Sequence, residues 1–209
     1  MIDHAIVYIV DDDAQARKSV QTLTDSMGVK TKSFASAEEF LQHYDGHRPG
    51  CLVVDVRMIG MSGLELQEKL NEMNHSLSIV VLTAFATTPI TVRAMRNGAV
   101  TLLEKPCDED QLWDAIRAAL AADLRNSTEQ QRVDDARQRI AALTPKESEV
   151  LECMVAGDAN KVAAGKLGIS VRTVEIHRRH VFEKLRAKSL PELVRLALLA
   201  APKASRTDS

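Results

Sequence analysis

"AIVYIVDDDA" (residues 5–14) decides the fold. Ala5 to Val10 are apolar enough for a buried strand, and they run straight into Asp11, Asp12 and Asp13. Adjacent like charges repel, and packing has no use for three of them at a strand end. They are either a solvated loop or half of a site for something cationic. Outward from this stretch lie three more apolar runs, "CLVVDV" (51–56), "IVVLT" (79–83) and "VTLLE" (100–104), and a weaker one, "VKTKSF" (29–34). Amphipathic segments separate them. Ser36 with Glu39 reads as a capping box before "AEEFLQHY". Gly98 closes "TPITVRAMRNG" as a C-terminal cap. Leu112, Trp113, Ile116, Ala119, Leu120 and Leu124 share one face of the last segment. Strands alternating with helices predict an α/β fold, a doubly wound five-stranded parallel sheet over residues 1–125.

The remainder of the 209 residues reads differently. "RNSTEQQRVDDARQR" (125–139) is polar, without Gly or Pro, and residues 126–140 are expected to be a partly helical linker. From residue 141 the pattern is all-α, four helices with a tail disordered from about residue 201. The formal net charge of -2 conceals a division. Residues 1–125 carry 12 Lys+Arg against 18 Asp+Glu, hence -6, while residues 141–209 carry 12 against 8, hence +4. An acidic front and a basic back imply different partners, the rear one a polyanion. Cys51, Cys107 and Cys153 have no metal-type spacing and imply a reducing compartment. No signal segment and no run of the ~18 apolar residues that a membrane span needs is present, so a cytoplasmic protein without membrane contact is expected.

In open α/β sheets the ligand sits beyond the carboxyl ends of the strands. The first strand ends in Asp11 and Asp12, the third carries Asp55 near its end, the fourth ends in Thr83, and Lys105 follows the fifth. Singly, each is an ordinary loop residue; four strand ends out of five converging is not easily accidental. Clustered carboxylates call for a hard divalent cation, and Mg²⁺ suits oxygen ligands. One carboxylate can then attack a phosphoryl group, whose oxygens a hydroxyl and an ammonium can hold.

"IVDDD", "VVDVRM", "MSGLEL", "VVLTA" and "LLEKP" resemble the receiver domain of two-component response regulators. The resemblance implies Asp55 as phospho-acceptor. It implies a Mg²⁺ site of Asp11, Asp12, Asp55 and the Arg57 backbone carbonyl, with Thr83 and Lys105 holding the phosphoryl group. Asp13 matches no ligand and reads as a helix-start carboxylate. The chain departs from the family twice: Ile59 stands where proline is usual, and Leu102 where the family has its switching aromatic.

In the rear region Thr144, Pro145 and Glu147 open a helix. After a short helix (159–167) and "GIS" (168–170), a longer one is expected from Val171 to Lys188, with Val174, Val181 and Leu185 as its apolar stripe. Six Lys/Arg and two Glu give it +4. "SLPE" (189–192) opens the last helix. A helix packed on one side and arginine-rich on the other, behind a short helix and turn, reads as helix-turn-helix. "LTPKESEVL", "NK", "LGISVRTVEIH" and "KL" resemble the LuxR/FixJ-type DNA-binding domain. That resemblance puts Glu175, Ile176 and Arg179 at base edges, Arg172 and Lys161 on phosphates, and Thr173 on the same face. His177 and His180 have no third metal donor nearby in sequence and read as structural.

These readings predict a phosphorylation-controlled transcriptional regulator rather than an enzyme. Its partners would be a sensor histidine kinase, promoter DNA, a second copy on phosphorylation, and RNA polymerase. Two alternatives stand beside it: a regulator whose receiver is never phosphorylated, and a Mg²⁺-dependent phosphatase with Asp11 as nucleophile.

Overall fold

Strands as apolar as the first, third and fourth need cover on both faces, and parallel sheets supply it. The computed structural model describes residues 4–73, 75 and 77–201. Its strands are β1 (Ile6–Val10), β2 (Lys30–Phe34), β3 (Gly50–Val54), β4 (Ser78–Thr83) and β5 (Thr101–Glu104). They form one sheet in the order β2-β1-β3-β4-β5, parallel at every pairing. The helices between them are α1 (Ala14–Ser26), α2 (Ala37–His43), α3 (Gly63–Glu72) and α4 (Thr88–Arg96), with α5 (Glu109–Ala141) after β5. Alternate strand residues face opposite layers. Tyr8, Val10, Leu52 and Val54 pack with Phe40, Leu66 and Leu70, while Val7, Ile9, Val53 and Val80 pack with Val20, Leu23, Ile116 and Leu120. The winding reverses between β1 and β3, so a crevice opens at their carboxyl ends.

At the opposite edge, Asp123 of α5 is fully buried. It accepts hydrogen bonds from Arg48 Nε (2.6 Å), Gly50 N (2.8 Å) and Ser78 N (3.2 Å). One carboxylate thereby joins α5 to the starts of β3 and β4.

The chain divides into two compact units, Met1–Thr128 and Glu129–Ser209. In the second, α6 (Pro145–Val155), α7 (Asn160–Leu167), α8 (Val171–Leu185) and α9 (Leu190–Ala200) surround Val150, Leu151, Met154, Val181, Leu185 and Leu193. Residues 126–140 lie within α5, and its last turns belong to this core: Ile140 packs against it and Arg139 Nη1 donates to Leu185 O (3.1 Å). The Thr144–Glu147 capping box is complete. At α2 it is shifted: Ser36 accepts from Glu39 N, but the Glu39 carboxylate takes the N–H of Ala35.

Helix α8 stops three residues before the expected Lys188. Arg186 adopts the left-handed region (φ 53°), and the Ala187 N–H closes back on Phe182 O at 3.1 Å. That bond satisfies a terminal carbonyl and turns the chain into the Ser189 cap of α9 without a glycine. Of the tail expected to be disordered, residues 202–209 lie outside the described residues.

Gly165 is exposed on α7, and a methyl group there would meet open space. No packing demand offsets its helix penalty. Gly165→Ala is therefore expected to stabilise the second unit by about 1 kcal/mol, read as a higher urea midpoint with unchanged m-value.

Candidate functional site

Register assembles the site at the sheet edge. Val10 pairs with Val54, so Asp11 and Asp55, the next residue of each strand, emerge side by side, and the Asp55 N–H bonds Val10 O at 2.9 Å. Both carboxylates are buried, as is Thr83 at the end of β4. Lys105 reaches them from the end of β5, its Nζ 2.5 Å from Asp11 Oδ2 and 3.1 Å from Asp55 Oδ1. The Lys105 backbone N–H is fixed on Thr83 O (2.8 Å), and the Lys105–Pro106 peptide is cis. The second oxygen of Asp55 accepts the Arg57 N–H at 2.6 Å.

Burial lifts the Asp55 pKa above the ordinary carboxylate range; Lys105 opposes the rise and Asp11 adds to it. For Lys105, burial works against the ammonium, but the hydrogen bonds and charges of Asp11 and Asp55 outweigh it, so its pKa is raised. Asp11 and Asp55 against the Lys105 ammonium leave one negative charge over, and the exposed carboxylate of Asp12, next in the chain, adds a second. An all-oxygen set with that deficit fits Mg²⁺.

Asp12 stands apart from this cluster. Its exposed carboxylate accepts the Ile59 N–H at 3.0 Å. Asp13 caps α1, accepting from Gln15 N at 2.8 Å. The closeness of Asp55 to α3 explains the glycine of "MSGLEL": a Cβ on Gly63 would lie 2.1 Å from Asp55 O. The pairing that sequence reasoning missed is Arg57 with Phe85, the guanidinium stacked 3.9 Å from the ring centroid. It joins residues 28 positions apart, and no local pattern could have revealed it. Leu102 is half-buried against the core, and Ile59 is 86% exposed.

In the second unit the turn from α7 to α8 runs through Gly168 (φ 65°) to Ser170, which accepts from Thr173 N at 3.0 Å. Val174, Val181 and Leu185 are completely buried, so α8 docks through the stripe its sequence announces. On the other side Arg172, Glu175, Ile176 and Arg179 are exposed, Thr173 half-exposed, and Lys161 exposed on α7. An uncovered isoleucine amid arginines suits a groove with both methyl groups and phosphates.

Comparison with known proteins agrees with both halves. Residues 7–117 match the response regulator receiver domain, and residues 141–197 match the bacterial regulatory proteins of the luxR family. The transcriptional regulatory protein FixJ of Azorhizobium caulinodans is 46% identical over 198 residues, 93% of this chain and 92% of that protein. Nodulation protein W of Bradyrhizobium diazoefficiens is 38% identical, covering 98% of this chain and 90% of that protein. The solved structure of the response regulator StyR, 39% identical, aligns with a TM-score of 0.84 over 93% of this chain and 98% of its own.

The chain belongs to the response regulators that join a receiver domain to a LuxR-type DNA-binding region. It is a phosphorylation-controlled transcription regulator, with DNA and a kinase as partners. Membership across both regions sets aside the phosphatase alternative. Among the described residues no helix is long and apolar enough to cross a membrane.

Proposed function

We propose that Asp55 accepts a phosphoryl group from the histidine of a sensor kinase, and that the acyl phosphate promotes dimerisation and promoter binding. The observation that carries this reading is the placement of Asp55: buried, one oxygen on Lys105, the other on the Arg57 N–H, with Asp11 alongside. Asp55 attacks phosphorus, the P–N bond breaks, and the kinase imidazole leaves. Asp11, Asp12, Asp55 and the Arg57 carbonyl would hold Mg²⁺, which supplies charge neutralisation for the entering phosphoryl oxygens. Lys105 then exchanges its hold on Asp55 for one on the phosphoryl group, and the Thr83 hydroxyl takes another oxygen. The only chemistry is self-phosphorylation and loss of the phosphoryl group to water. We assign the receiver to residues 1–125, the linker to 126–140 and DNA binding to 141–209, in a cytoplasmic protein that contacts RNA polymerase at its promoters.

Intact mass after incubation with Mg²⁺ and acetyl phosphate tests the acceptor. Wild type is expected to gain one phosphoryl group, lost in Asp55→Asn and without Mg²⁺. No adduct, together with no beryllofluoride-induced change, would favour the regulator with an unphosphorylated receiver.

Ile59 bears on the metal. Proline at this position would have no N–H to offer, so it could not engage Asp12 as Ile59 does. An incoming cation competes with that bond for the Asp12 carboxylate. Ile59→Pro is expected to tighten Mg²⁺ binding about fivefold in calorimetric titration, the equivalent of about 1 kcal/mol for one exposed hydrogen bond.

On DNA, Arg172 and Lys161 are assigned to phosphates, Thr173 to the same surface, and Glu175, Ile176 and Arg179 to base edges. Arg172→Ala is expected to weaken binding to all sequences alike and reduce the salt slope by about 1. Arg179→Ala is expected to cost about 1–3 kcal/mol and relax specificity at one position, read by titrating operator variants at several salt concentrations.

A further inference from the structure

His177 and His180 lie three residues apart on α8, and no third donor stands near them in the sequence. The fold corrects the inference that none stands near them in space. A carboxylate oxygen of Glu147, in the first turn of α6, lies with one donor atom of each histidine in a group whose members are all within 4.8 Å of one another.

The hydrogen bonding leaves these donors available. Glu147 is buried, and its Oε2 accepts from Lys184 Nζ (2.6 Å) and Thr144 N (2.8 Å). Its Oε1 faces His180 Nδ1 at 3.6 Å, beyond hydrogen-bond range. His177 Nδ1 is buried with no hydrogen-bond partner, one of two such side-chain atoms among the described residues. An unpaired buried imidazole nitrogen calls for a physical reason.

We propose that Glu147, His177 and His180 form a transition-metal site, distinct from the carboxylate cluster of the sheet edge and suited to Zn²⁺. Two imidazoles and one carboxylate match the donors that zinc takes at about 2.0–2.2 Å, whereas hard Mg²⁺ prefers oxygen alone. Zinc requires the three donors to close in from their present separations. His180, with its side chain 40% exposed, has room to move. Because Lys184 occupies Oε2, the carboxylate approaches through Oε1 only, and the fourth position is left to water. The ammonium also opposes the cation, which favours a reversible site over a permanent one. The bound ion would tie α6 to α8, the helix that presents Arg172 and Arg179, and so stiffen the DNA-reading element.

The test is a Zn²⁺ titration of the full chain against a chromophoric chelator, with excess Mg²⁺ present to occupy the receiver carboxylates. Wild type is expected to bind one Zn²⁺ that His180→Ala and the double variant His177→Ala/His180→Ala weaken by at least about tenfold, since loss of even a second-shell partner costs ~10–100-fold. Zinc is also expected to raise the unfolding midpoint of wild type and not of the double variant. Should the half-buried His177 prove necessary for folding, His180→Ala alone, checked for helicity by circular dichroism, still decides. Equal zinc affinity in wild type and His180→Ala, or no wild-type binding against the chelator, overturns the site.

Discussion

Two carboxylates side by side in a buried crevice repel, and the receiver unit is organised around that repulsion. Asp11 and Asp55 are neighbours because Val10 and Val54 are paired, and both are buried because the strands below them are. The countercharge comes from two strands away: Lys105, anchored through its backbone to Thr83, brings its ammonium to both acids. Removing either acid would leave the lysine half-matched; removing the lysine would leave two buried charges unpaired. On the proposed reading, the interaction that holds the resting site is one that an incoming phosphoryl group would take over, since its oxygens would offer Lys105 the charge that Asp55 offers.

How that exchange can travel is constrained by the surrounding contacts. Leu102 leaves no ring on β5 to rotate. The aromatic near the site is Phe85, in the connection before α4, and the Arg57 guanidinium lies over it. The stack links the loop after β3 to the loop after β4, worth ~0.5–1 kcal/mol where exposed. The far half of α4 is held to α3: Arg93 makes two 2.8 Å bonds to Glu68, Asn97 Nδ2 a third, and Gln67 Nε2 donates to Ala94 O. The near half begins at Thr87, which makes no side-chain cap. The two ends of α4 are thus held unequally, the far one by side chains of α3 and the near one by its own backbone and Ile90.

The strands, the strand-end acids and the docking stripe of α8 were readable because they are local: a period of two, a charge following an apolar run, a period of 3.6. The contacts that were not readable bridge long separations. Arg48 and Asp123, 75 residues apart, meet only because the sheet starts lie beside α5. Glu147 reaches His177 and His180 only after α6 packs on α8. Helix length failed for another reason. Arg186 is a good helix former, yet the Ser189 cap demands a break, and tertiary context overrode propensity.

That early stop redistributes the basic residues, leaving Arg186 and Lys188 in the turn after α8 rather than on the helix. The helix expected over 171–188 carries six basic and two acidic residues, whereas α8 as folded, "VRTVEIHRRHVFEKL", carries four and two. Of those four, Lys184 is engaged by buried Glu147, and Arg179 lies 3.7 Å from Glu183. A reading element with so little free charge releases few counterions, and residues 1–125, at -6, repel the same polyanion. On the proposed reading, one copy alone binds DNA weakly. Two linked copies convert the second encounter into an intramolecular one and gain affinity without a new contact. On the proposed reading, a modest charge on α8 suits a regulator whose occupancy of DNA is to depend on dimerisation, because a more basic helix would bind without waiting for the signal.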